Sequence, residues 1–213
     1  MGLDDIDKKI EEFFFNPAKT LDEYGLTYKS NNPNEEAVRF SPLYLASRDI
    51  YYCFGKNPEI SKKIETGSMF GPTKFIGFVL TYQTLDMVAR AIGLKPKDYL
   101  QKFFDFSTTE AVDLSELRHA ITHEWYSLFG FRQKDKKNIW FDISDFSDKI
   151  IIPKKVSDSD REAHYVVNPT SFYKNFFESL EKVKQGLLDK ENEQKRMAFN
   201  KRVTHKHWVI IIK

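Results

Sequence analysis

A chain of 213 residues with 41% apolar, 15% aromatic and 30% charged residues has the composition of a folded protein around one substantial core, not of a disordered one. Its longest apolar runs, such as "FIGFVL" and "WVIII", fall far short of the ~20 residues a membrane-spanning helix needs. The acidic, amphipathic start "MGLDDIDKKI" lacks the basic opening and cleavage site of a secretory signal, so a cytoplasmic protein is expected. A net charge of +2 does not announce a nucleic-acid partner for the whole chain. The single cysteine, Cys53 in "IYYCFG", excludes an internal disulfide and is expected as a small core residue.

Proline marks the helix starts, because at the first helical position its missing N–H costs nothing and a preceding Asn, Ser or Gly can cap the turn. Asn16-Pro17, Asn32-Pro33, Ser41-Pro42, Asn57-Pro58, Gly71-Pro72 and Asn168-Pro169 all have this form. The first helix is expected over 3–15, with Leu3, Ile6, Ile10, Phe13 and Phe14 on one face. A second follows Ser41 and stops at Gly55, and a third runs from Pro72 to Ile92 and stops at Gly93. The third is apolar on most sides, which predicts the central helix of a bundle. A short helix begins at Pro96, and another is expected from Asp113 to Phe129, with Asp113 and Glu116 at capping-box spacing and Gly130 as its stop.

Beyond Gly130 the pattern changes. "NIWFDI", "DKIIIP" and "AHYVVN" read as strands, and His164 in the last of them as an ordinary strand residue. A long helix follows Asn168-Pro169 with Phe172, Phe176, Leu180, Val183 and Leu187 along one stripe, and "HWVIII" reads as a terminal strand. The expected architecture is one mainly α domain: a bundle of four to five core helices over about 1–130, a small appended β-sheet over 138–168, a C-terminal helix over 169–200 and a strand over 207–212. The stretch 195–206, "KRMAFNKRVTHK", has five Lys or Arg and no acid. Lys195, Arg196, Lys201 and Arg202 are RNA-binding candidates there, against the blander reading of a solvated helix end.

The polar cluster lies in "LSELRHAITHEWYSLFG", residues 114–130. At about 100° per residue, Leu114, Leu117, Ile121, Trp125, Leu128 and Phe129 form the core face, while Ser115, Arg118, His119, Thr122, His123 and Tyr126 form a continuous polar face. That face holds no Lys or Glu. Arg offers planar donors to phosphate oxygens, and His can exchange a proton near neutral pH, so the set suits a phosphodiester whose own 2′-hydroxyl is the nucleophile. The alternative is a merely solvated face.

Arg118-His119-Ala-Ile-Thr-His123 resembles the Arg-x4-6-His motif of the HEPN superfamily. The resemblance covers about residues 40–130. It implies a four- or five-helix bundle carrying the motif on a late helix, often dimeric with a composite site, and in many members a metal-independent endoribonuclease of toxin or defence systems. Other members only bind. It further implies catalytic roles for Arg118 and His123, His119 in the polar position after Arg, no cofactor, RNA as the partner, a homodimer and an antitoxin protein. Some members add an acid from an earlier helix. Asp86 is the candidate here, with an i,i+4 surface pair to Arg90 as the alternative. A second match, Arg202 to His207, runs into the terminal strand and is set aside.

Two rivals stand beside this reading. His119 and His123, at i and i+4, suit one zinc ion, but no HExxH sequence or cysteine cluster supplies further ligands, and His205-x-His207 is a pair without partners. A non-catalytic module would use the same polar face for dimerisation or RNA binding. "GSMFGPTK" lacks the Gly-Lys-Ser/Thr ending of a phosphate loop and reads as a turn.

Overall fold

The computed structural model describes residues 3–14, 26–29, 36–54, 72–123, 129–132, 136–144, 149–153, 162–203 and 209–212. The chain is mainly helical. Its helices are α1 (Leu3–Phe13), α2 (Pro42–Cys53), α3 (Pro72–Ala91), α4 (Pro96–Phe104), α5 (Thr108–His123), α6 (Pro169–Leu188) and α7 (Glu193–Arg202), with a 3-10 turn (Lys190–Asn192) between the last two. No described helix is long and apolar enough to cross a membrane.

Local capping chemistry sets the helix starts. Ser41 Oγ accepts the Tyr44 N–H at 3.2 Å and donates to Phe13 O at 3.0 Å, so one hydroxyl caps α2 and ties it to the end of α1. Asn168 caps α6 through Ser171 N at 3.0 Å, with Pro169 at the first helical position. The Asn16-Pro17, Asn32-Pro33 and Asn57-Pro58 starts lie outside the described residues. Helix α3 packs against α2, α4, α5, α6 and α7 and is the central helix its composition predicts. Its buried Thr81 and Thr84 satisfy their hydroxyls on the carbonyls four residues back, each at 2.7 Å. A Cβ at Gly77 would lie 2.6 Å from the Phe54 ring and 2.9 Å from Cys53 Cβ, so the missing side chain is what lets α2 approach α3. Cys53 is half-buried. Phe78, Tyr82, Phe104 and Phe172 form the aromatic centre of the core.

The polar-face helix does not run from Asp113 to Phe129. Helix α5 starts earlier, where Ser107 and Glu110 form the reciprocal capping box: Glu110 Oε2 accepts the Ser107 N–H at 2.9 Å and Ser107 Oγ accepts the Glu110 N–H at 3.3 Å. Asp113 is buried inside α5, where its Oδ2 accepts the Tyr165 hydroxyl at 2.6 Å. The described helix spans Thr108–His123, and Phe129 and Gly130 belong to a strand, β3 (Phe129–Arg132). Gly130 is therefore no helix stop. A Cβ there would lie 3.2 Å from Glu116 Cβ, and glycine allows β3 to lie against α5.

Among the described residues there are two sheets. Strands β3, β4 (Lys137–Ile143), β6 (Glu162–Val167) and β5 (Ile151–Pro153) pair in that order, with β4 and β6 parallel and Trp140 opposite His164. Ile139, Phe141, Tyr165 and Val167 point into the core, whereas Trp140 faces outward and stacks on His164, a placement that agrees with a plain strand role for this histidine. The second sheet joins β1 (Leu26–Lys29), β2 (Glu36–Phe40) and β7 (Val209–Ile212) in that order, so the terminal strand pairs with β2, and both β1 and β2 lie within the segment expected to be helical.

The expected single helix over 169–200 is two. Asp189 breaks it, its side chain accepting the Glu191 N–H at 3.0 Å to start the 3-10 turn. Arg196 on α7 then turns back into the core. It donates to the carbonyls of Leu187 and Leu188 at the end of α6, at 3.2 and 3.1 Å, and pairs with Asp7 of α1 at 2.5 Å. Lys9 Nζ reaches Asn200 O and Oδ1, which fixes α1 against α7 from the other side.

Candidate functional site

Arg118 sits on the side of α5 that faces α3, whose central residue Asp86 has a side chain only 10% exposed. Asp86 Oδ2 accepts from Arg118 Nη2 at 2.5 Å, and its other oxygen accepts from Arg90 Nε at 2.7 Å. The acid on the earlier helix and the i,i+4 pair with Arg90 are thus both present on one carboxylate. Of the two guanidiniums, that of Arg90 is 69% exposed and that of Arg118 only 25%, so Arg118 is the one held in place. A charged hydrogen bond of this kind fixes the orientation of a planar donor group.

Arg118 and Arg90 line a cavity of about 470 Å³ where α3 gives way to α4. Gly93, at φ 81°, ends α3 in the left-handed conformation and turns the chain, so that Leu94, Lys95, Pro96 and Lys97 join the lining. Ser115, one turn before Arg118, completes the lining. Beneath it the fully buried Tyr82 hydroxyl lies against Ser115 and Arg118. Burial pushes its pKa up, and the Ser115 hydroxyl and the Arg118 charge oppose that rise. The two hydroxyls are neighbours without completing a hydrogen bond of good geometry.

Lys95 and Lys97 are unusual for their position. Cations at a helix N-terminus oppose the helix dipole, at a cost of about 0.3–1 kcal/mol each, and Lys95 provides no side-chain cap for α4. Asp98 in the first turn offsets part of this. Two lysines flanking Pro96 are the signal in "GLKPK" that sequence reasoning passed over; Tyr82 carried no such signal.

The structure brings together Arg118, Asp86 and Ser115 of the expected set and adds Arg90, Lys95 and Lys97. His119 is exposed on α5. Thr122 and His123 form the last turn of α5, their side chains lying outside the described residues, as does Tyr126 altogether. His123 and Arg118 thus share one helix, about 140° apart around its axis. Among the RNA-binding candidates of the basic stretch, Lys195, Lys201 and Arg202 are exposed. Arg196 is not a candidate: its side chain is 1% exposed and committed to Asp7 and the end of α6. No group of three His, Cys, Asp or Glu is placed to hold a metal ion among the described residues. No family model, curated protein or solved structure matches the chain.

Proposed function

We propose that this protein is a HEPN-like, RNA-binding, metal-independent endoribonuclease with Arg118 and His123 as its catalytic pair. The observation that carries the reading is the placement of Arg118, held by Asp86 at the wall of a cavity lined by three further cations. A phosphodiester entering that cavity meets a fixed guanidinium, which stabilises the charge that grows on the non-bridging oxygens as the phosphorus becomes five-coordinate. His123 takes the proton of the 2′-hydroxyl as its oxygen attacks the adjacent phosphorus. The bond to the 5′-oxygen breaks, the leaving oxygen takes a proton from solvent water, and a 2′,3′-cyclic phosphate remains. Asp86 positions Arg118, while Ser115, His119 and Thr122 on the same helix, and Tyr126 beyond it in sequence, supply hydrogen bonds to the RNA strand. The resemblance of the motif adds a homodimer and an antitoxin partner, and with them a place among toxin or defence proteins.

The test is digestion of labelled single-stranded RNA in EDTA, with analysis of the new ends. Cyclic phosphate ends, and resistance of a strand made 2′-deoxy at the cut position, are expected. Cutting that EDTA abolishes, or that a 2′-deoxy strand still undergoes, overturns the proposal. The pairing of Arg118 with a nearly buried carboxylate favours a second reading, a non-catalytic RNA-binding module, because it gives the arginine a structural partner. Wild-type protein that binds the strand and leaves it intact establishes that second reading.

A further inference from the structure

The cavity at the α3–α4 turn holds more positive charge than one phosphodiester requires. Arg90, Lys95, Lys97 and Arg118 line it, and the carboxylate that touches this set, Asp86, is already shared between the two arginines. Arg90, Lys95 and Lys97 are exposed cations beside that shared carboxylate, so the lining is net positive. Neither Lys95 nor Lys97 has an ion-pair partner among the described residues. A fifth cation borders the turn: Arg202 of α7 lies over Gly93, where a Cβ would come within 2.8 Å of its Nη1.

An internal phosphodiester carries one negative charge, whereas a phosphate monoester carries about 1.5 to 2 at neutral pH and has a third terminal oxygen to accept hydrogen bonds. Charge and acceptor number therefore both match the monoester better. A volume of 470 Å³ lies in the ~300–1,000 Å³ range of ligand pockets, and Leu94 and Pro96 give it an apolar wall beside the cations. There is space for a nucleoside next to its phosphate.

We infer that this cavity binds a phosphate monoester on a nucleotide, either the phosphorylated end of an RNA strand or a free mononucleotide, with Lys95 and Lys97 as the residues that prefer it to an internal diester. The inference rests on the proposed RNA reading only for the polymer as a source, and does not need the protein to cut. Lys95, Lys97 and Arg118 reach the terminal oxygens from the lining they share.

The experiment measures binding of short 2′-O-methyl RNA strands, which cannot undergo 2′-hydroxyl attack, ending in a 5′-phosphate, a 3′-phosphate or hydroxyls at both ends. One of the phosphate-ended strands is expected to bind about tenfold more tightly than the hydroxyl-ended one, as one or two charge-assisted hydrogen bonds allow. The double variant Lys95→Gln, Lys97→Gln should lose that preference while keeping the wild-type urea midpoint, since both side chains are exposed. Adenosine 5′-monophosphate and inorganic phosphate serve as competitors. Competition by the mononucleotide at the concentration of the strand assigns the site to free nucleotides, and competition only at far higher concentration assigns it to the RNA end. Equal binding of all three strands, or a preference that survives the double variant, overturns the inference. His123→Ala should retain the preference even where it loses all cutting, so the two readings fail separately.

Discussion

Replacing Asp86 by Asn keeps the shape of the side chain and withdraws the charge that two arginines share. Its two ion pairs differ in weight. The Arg90 guanidinium is 69% exposed, and a pair of that kind contributes ~0.2–1 kcal/mol. The Arg118 guanidinium is 25% exposed against a carboxylate at 10%. Breaking a fully buried pair costs ~3–5 kcal/mol, so partial screening here puts the loss at about 2 kcal/mol. Asp86→Asn should therefore lower the urea-derived stability by about 2 kcal/mol, and Arg90→Ala by less than about 1 kcal/mol. Function should move differently from stability. The cavity gains a net positive charge, so RNA should bind at least as tightly as to the wild type, while Arg118 loses its fixed orientation and single-turnover cutting falls about tenfold or more. An Asp86→Asn protein as stable as wild type, or one whose binding collapses while its cutting rate is kept, refutes Asp86 as the residue that positions Arg118.

Three further substitutions test the frame around the cavity. Arg196→Ala removes the partly screened Asp7 pair and two carbonyl contacts at once, and should cost about 2–3 kcal/mol by urea unfolding; a loss under about 1 kcal/mol would contradict its role as the lock between α1, α6 and α7. Gly77→Ala overpacks the α2–α3 contact and should destabilise by about 1–3 kcal/mol, with a neutral result showing that Phe54 and Cys53 can yield. Tyr165→Phe removes a donor from the buried Asp113 and should cost about 1–3 kcal/mol, and unchanged stability would mean that the sheet is not anchored to α5 through this bond.

What the sequence revealed divides by the range of the interaction. Starts fixed within one turn, such as Ser41-Pro42 and Asn168-Pro169, were legible because cap and proline act on their own neighbours. The start of α5 was not, since Ser107–Glu110 and Asp113–Glu116 have the same spacing; Asp113 is instead spent on Tyr165, fifty-two residues away. Strands β1 and β2, four and five residues long, gain a sheet only by pairing with each other and with β7 from the far end of the chain. Asp189 as a helix breaker was readable locally and was masked by the strong apolar stripe before it. At the site, Arg118 could be picked out by residue type and helical spacing, whereas Asp86 came from the resemblance, its spacing alone giving only the pair with Arg90. Lys95 and Lys97 carried a local signal as the two lysines flanking Pro96, but their nearness to Arg118 carried none, because it depends on the left-handed turn at Gly93.

The most direct measurement is the single-turnover rate of RNA cleavage in EDTA for Arg118→Ala beside the wild type, with unfolding midpoints recorded for both. With Arg118 as the donor to the phosphorus-bound oxygens, the rate should fall about 10²–10³-fold in a protein that remains folded. A folded Arg118→Ala protein that cuts at the wild-type rate contradicts the assignment.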